Sequence, residues 1–118
     1  MTGWRIAFIG PLLGMLGALG TLAGSAASAA PEERRPVTHT ITIEAMRFQP
    51  ETLTVKRGDR VVWVNRDPFP HTVVSSVGPF RSREIAPGQS WAQSVKRTGV
   101  VPYACSLHPT MKGELRVD

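Results

Sequence analysis

Four residues of this chain carry side chains able to do metal chemistry together. Cys105, His108 and Met111 stand at the spacing C-x2-H-x2-M within Tyr103 to Gly113 (YACSLHPTMKG). A loop that short turns three side chains toward one point. The fourth, His71, follows the rigid turn Pro68-Phe69-Pro70 and opens a separate apolar stretch. One thiolate and two imidazoles in a trigonal set, with a weak thioether on the axis, suit a single copper ion that cycles between Cu(II) and Cu(I). Thiolate and thioether favour Cu(I), imidazole serves Cu(II), and a rigid compromise lowers the reorganisation that each electron transfer requires. Zinc accepts the same thiolate and imidazoles, but Cu(II) outranks it in the Irving–Williams order and Met is a poor zinc ligand. Four protein donors leave no open position for a substrate, which argues for an electron carrier and against an enzyme.

Other uses of the same residues are weaker. A lone Cys is most often a small buried residue, and a lone Met a core filler. Their joint spacing with His108 is what lifts both. Cys105 as a nucleophile, with His71 or His108 as base, would need a third group to orient that base. No such group is evident in the sequence, and Met111 would have no role. A copper-handling or copper-sensing protein would use the same four ligands, but no second Met/His-rich site accompanies them. His39 alternates in phase with Ile41 and Ile43 and is read as structural.

The elements that must position these residues lie after residue 30. Met1 to Arg5 is a short positive start, Ile6 to Ala23 is apolar and uncharged, and small residues run from Gly24 to Ala30. That order is the pattern of a secretory signal peptide, so residues 1–30 are expected to be cleaved and the product exported. The competing reading is a retained anchor, at about 18 residues the lower limit for spanning a bilayer. Pro11 and several glycines weaken it as a helix, and no Cys is placed to carry a lipid. Residues 31–36 (PEERRP) read as a flexible leader, and residues 37–118 as one domain.

Within that domain the hydrophobic pattern has period two. Ile41 and Ile43, Leu53 and Val55, and Leu115 and Val117 alternate with polar neighbours, giving strands with one face inside. Arg60 to Asn65, His71 to Val77, Ser90 to Lys96 and Val100 to Tyr103 complete the set. Turn signals separate them at Arg57-Gly58-Asp59, Pro68 to Pro70, Gly78-Pro79, Pro87-Gly88 and Thr98-Gly99. The expectation is an all-β Greek-key sandwich of about seven to eight strands. Met46, Trp63 and Trp91 are expected in its core, and Pro102 on an edge or irregular stretch.

Cys105 is the only cysteine of 118 residues, so no disulfide closes within the chain. An exported lone thiol is a liability unless something occupies it, and so small a domain gains from a staple. A metal meets both needs. The net charge of +5 comes from basic residues spread along the chain. It is read as a solvated surface or as steering toward an anionic docking surface on a partner. Nucleic acid is not expected, because no binding module is recognisable.

The residues Phe48-x-Pro50, Leu53-Thr54-Val55, Gly58-Asp59, Val61-x-Trp63-x-Asn65, Pro70-His71-Thr72-Val73, Pro87-Gly88 and Tyr103-x-Cys105-x-x-His108-Pro109-x-Met111-x-Gly113 together resemble the cupredoxins. The likeness runs over nearly all of Thr38 to Asp118, and the short ligand loop is most similar to the amicyanin-like members beside the plastocyanin-like ones. It implies a blue (type 1) copper site with His71 and His108 bound through imidazole nitrogen, Cys105 through a short thiolate bond and Met111 through a long axial one. It further implies that Thr72, where relatives often have Asn, ties the His71 loop to Ser106. An apolar patch of Phe69, Pro70, Leu107 and Pro109 would surround His108, with Lys112 and Arg66 at its rim, as the surface where redox partner proteins dock. By the same resemblance the protein would be a monomeric one-electron carrier, periplasmic in a Gram-negative cell and otherwise extracytoplasmic.

Overall fold

The structure is a computed structural model that describes residues 34–78 and 80–118, together with positions 3, 10, 11, 14, 17, 18, 20, 21 and 24. The expected signal segment falls almost wholly outside the described residues. Among those described, no helix is long and apolar enough to cross a membrane. Two compact units divide the chain at Glu32, and the fold below is that of Glu33–Asp118.

Seven strands build this unit: β1 (Thr38–Glu44), β2 (Arg47–Gln49), β3 (Thr52–Val55), β4 (Arg60–Asn65), β5 (Ser90–Ser94), β6 (Gly99–Ala104) and β7 (Lys112–Val117). They form a four-stranded sheet in the order β2-β1-β4-β5 and a three-stranded sheet in the order β3-β7-β6. β1 runs parallel to β4 and β3 parallel to β7, while the other neighbours are antiparallel. The expected all-β sandwich is therefore present. Period-two alternation drives it: Ile41, Ile43, Val61, Trp63, Leu115 and Val117 are buried between the sheets, and their sequence neighbours are more exposed.

The core is aromatic toward the site. Tyr103 meets Phe48 and Trp63 edge-on, at centroid distances of 4.8 and 5.5 Å, geometries favoured by the ring quadrupoles. Trp91 is only half-buried and packs on Trp63 at 5.4 Å. Neither Trp63 Nε1 nor the Tyr103 hydroxyl has a hydrogen-bond partner, and burial pushes the Tyr103 hydroxyl pKa up to about 12. Pro102 sits in β6, the edge strand of its sheet, where a missing N–H costs no ladder bond.

Three expectations are corrected. His71 to Val77 is not a strand, and only isolated bridges join His71 to Ile85 and Val74 to Arg81 and Ala104. Side chains take the amides a ladder would use: the Thr72 N–H points at Cys105 Sγ and the Val73 N–H donates to Ser82 Oγ. Met46 is not in the core but 37% exposed, at a two-residue turn joining β1 to β2. That turn makes Arg47–Gln49 a strand the alternation did not reveal, because it lacks the Asn-Gly or Asp-Gly signal of such hairpins. Finally, Arg34 in the leader is tied down by a two-pronged ion pair with the buried Asp59, at 2.8 and 3.0 Å.

Candidate metal centre

The site forms where the β4–β5 connection meets the β6–β7 loop. Asn65, buried at the end of β4, sets the first of these segments. Its Nδ2 donates to the carbonyls of Phe69 and Ile85 at 2.7 and 2.8 Å, and its Oδ1 accepts the Asp67 N–H. Two backbone bonds then hold His71 against Ile85. The second segment is closed by its own backbone: the Cys105 N–H donates to Met111 O, and the Met111 N–H to His108 O. Short spacing thus becomes a tight loop. Gly113 follows because the Tyr103 ring occupies the space a side chain would need there.

These two segments bring Cys105 Sγ within 3.7 Å of His71 Nδ1 and 3.8 Å of His108 Nδ1. Among the described residues His71, Cys105 and His108 form one group whose ligand atoms all lie within 4.8 Å of one another. Met111 is buried beside them, at 4% exposure. The two histidines are unequal. His71 is fully buried, whereas His108 is partly exposed and flanked in sequence by the exposed Leu107 and Pro109. Phe69, Pro70 and Lys112 are exposed as well.

Thr72 and Ser106 are hydrogen-bonded to each other. The Ser106 N–H donates to Thr72 Oγ1 at 2.8 Å, and the two hydroxyls share a further bond of 2.8 Å. The Thr72 N–H also points at Cys105 Sγ from 3.4 Å, and its hydroxyl lies 3.8 Å from that sulfur.

Asp67 was not singled out in the sequence. Its Oδ2 lies 2.8 Å from His71 Nε2, so with Nδ1 turned to the sulfur the Nε2–H donates to the carboxylate. This is the outer partner that fixes tautomer and ring orientation in metal-binding histidines. The only signal was an Asp-Pro pair four residues before a histidine, in a loop where that spacing has no fixed geometry. Asp67 also corrects the statement that nothing orients a base near Cys105. The Cys105 thiol itself is 0% exposed.

The arrangement is a closed thiolate–imidazole–thioether set in a small β-sandwich, and comparison with known proteins gives it a family. The model of the cupredoxin-like domain matches residues 12–117. The chain belongs to the cupredoxin-like family. It is 32% identical to an amicyanin of Paracoccus denitrificans over 87 residues, which is 66% of this chain and 63% of that protein. The corresponding figures for the Paracoccus versutus amicyanin are 31% over 83 residues, with the same coverage. The chain thus spans a little under two thirds of these amicyanins. A plastocyanin of Scenedesmus fuscus is 33% identical over 87 residues, 63% of this chain and 89% of that one. Among solved structures, an amicyanin variant in its Cu(I) form superposes with a TM-score of 0.65 at 27% identity, covering 69% of this chain and 82% of that one. The donor set found here fits the one copper ion of such proteins: two imidazoles and a thiol converge, and a buried thioether lies beside them.

Proposed function

We propose that this protein is an exported type 1 copper protein that carries single electrons between redox partner proteins. The observation that supports it is the convergence of three ligand atoms within 4.8 Å around a thiol sealed from solvent, with one of the two histidines reaching the surface. Copper, when bound, supplies a Cu(II)/Cu(I) couple. His71, Cys105 and His108 would hold it through two imidazoles and a thiolate, and Met111 would add a thioether. The backbone bonds within Cys105 to Met111 and the Asn65–Asp67 framework hold these donors in one place in both oxidation states, so little has to move when an electron does.

Residues 1–30 are the cleaved signal peptide, 31–36 the leader and 37–118 the functional domain. The mature protein is a monomer, periplasmic if the cell is Gram-negative. Its partner surface is the apolar patch of Phe69, Pro70, Leu107 and Pro109 around His108, with Lys112 at the rim. A basic surface outside that patch steers negatively charged partners. The protein is a carrier and not an enzyme, because no donor position is left for a substrate.

Stopped-flow mixing of the Cu(II) protein with a one-electron reductant, in parallel with copper extraction by a chelator, tests the reading. A carrier is reduced and reoxidised quickly with its copper retained. Copper lost to the chelator faster than electrons are exchanged would instead identify a copper-handling protein. Mass spectrometry of the exported protein checks the cleavage point.

A further inference from the structure

The two ends of the sandwich differ in charge. The copper ligands gather at one end, in the segments after β4 and between β6 and β7. At the other end β1, β4 and β6 begin and β3, β5 and β7 finish. Backbone bonds from Arg57 N–H to Asp118 O, Gly58 N–H to Val95 O and Arg60 N–H to Val37 O join them into one surface. Arg57, Arg60, Lys96 and Arg97 are exposed there, and none pairs with an acid among the described residues. The described acids of this end are already engaged: Asp59 is buried against Arg34 and His39, and Asp118 lies beside Lys56. The other described acids, Glu44, Glu51, Asp67, Glu84 and Glu114, fall toward the copper end. Apolar surface accompanies the basic charge. Val37, Val77 and Val100 are exposed, and a cleft of about 720 Å³ opens between the end of β5 and the start of β6. Val77, Phe80, Val95 and Val100 line it together with Lys96 and Arg97, and no described acid does.

We propose that this end docks on the anionic face of a lipid bilayer, its basic side chains on the phosphates and its valines among the headgroups. An acidic protein surface would answer the charge but not the apolar cleft beside it. A lipid answers both, with an anionic head for Lys96 and Arg97 and an acyl chain for the cleft. The chain preceding residue 34 enters the domain at this end and carries the apolar stretch Ile6 to Ala23, so export presents this end to the membrane. β6 separates the surface from Cys105 by six residues, about 20 Å at the usual rise of a strand. Docking here carries no electron. It holds the protein on the membrane with His108 turned away from the lipid and open to a soluble partner. That use rests on the copper-carrier reading; the binding itself does not.

The test is cosedimentation of the copper-loaded exported protein with vesicles of phosphatidylcholine alone and of phosphatidylcholine mixed with phosphatidylglycerol. Binding is expected to the anionic vesicles only, fading as salt is raised. Lys96→Glu with Arg97→Glu should weaken it by about 25-fold, at roughly fivefold for each basic side chain removed. Arg47→Glu with Arg81→Glu makes the same change in net charge toward the copper end and should leave binding unaltered. All four side chains are exposed, and circular dichroism confirms that both variants keep the fold. Equal loss from the two pairs assigns the effect to net charge and overturns the proposal, as does equal binding to neutral vesicles. Binding to polyglutamate but to neither vesicle gives the surface to an acidic protein and overturns it too. Vesicle-bound protein should be reduced by a soluble one-electron reductant as fast as free protein. Slower reduction places His108 against the lipid and overturns the orientation, whereas no reduction in either form contradicts the carrier reading instead.

Discussion

The Asp67 carboxylate lies 2.8 Å from Nε2 of His71, the ring nitrogen turned away from Cys105. A ring held at both ends cannot pivot away from a metal, whereas His108 has no such partner among the hydrogen bonds of the described residues. Replacing Asp67 by Asn keeps the shape and removes the charge that the Ala45 and Met46 amides and His71 all address. Copper affinity should fall by about 10- to 100-fold, the usual effect of losing such an outer partner. Competition against a chromophoric chelator measures it. Unchanged affinity in a folded Asp67→Asn protein would show that His71 is fixed by packing alone.

Thr72 offers a second test at the sulfur. Thr72→Val retains the branched shape and the N–H aimed at Cys105 Sγ, but strips the hydroxyl from Ser106 and from the sulfur. The loss should cost about 1 kcal/mol of stability, the net value of an ordinary hydrogen bond. A hydroxyl near the thiolate withdraws electron density and favours Cu(I), so the reduction potential should also drop. Voltammetry of the two proteins side by side checks the sign, and a potential that rises would refute this account of Thr72.

These two residues mark what the sequence could and could not convey. Strand positions were readable because alternation of Ile41, Ile43, Val61, Trp63, Leu115 and Val117 is set by a fixed side-chain period. The C-x2-H-x2-M spacing was readable because a short loop leaves few geometries. His71 to Val77 carries the composition of a strand, yet Cys105 Sγ and Ser82 Oγ take the Thr72 and Val73 amides, and only the folded loops bring those side chains there. Asp67 and the Ala45-Met46 turn stayed hidden for a related reason. Each looks unremarkable alone, and only the packed fold puts a carboxylate opposite two left-handed amides.

Gly113 gives a packing prediction. A Cβ at this position would overlap the Tyr103 ring, which Phe48 and Trp63 hold from two sides and which is 3% exposed. The ring has nowhere to go. Gly113→Ala should destabilise the protein by about 1–3 kcal/mol, the range for overpacking a filled core. Urea unfolding with an unchanged slope would register it as a lower midpoint, and equal midpoints would mean that the loop yields instead.

Asp59 sets the acid side of the stability profile. Arg34, then the Val37 N–H, and then His39 and the Lys56 N–H hold its carboxyl far below the usual range against the opposing effect of burial. With the folded pKa below the unfolded one, the unfolded chain binds more protons, so this contribution is complete above the ordinary carboxylate value of about 4. It drains away as pH falls below that value. Asp59→Asn should therefore lower stability at neutral pH and flatten the loss seen on acidification. Thermal unfolding across that window measures both, and an acid slope identical to that of the parent would locate the titrating group elsewhere.

The visible spectrum of the copper-loaded mature protein, recorded with its voltammogram, tests the central claim most directly. An intense thiolate-to-copper band and a reversible one-electron couple are expected, both abolished by Cys105→Ala. A colourless copper protein, or a Cys105→Ala variant of unchanged colour, would contradict a copper centre built on Cys105, His71, His108 and Met111.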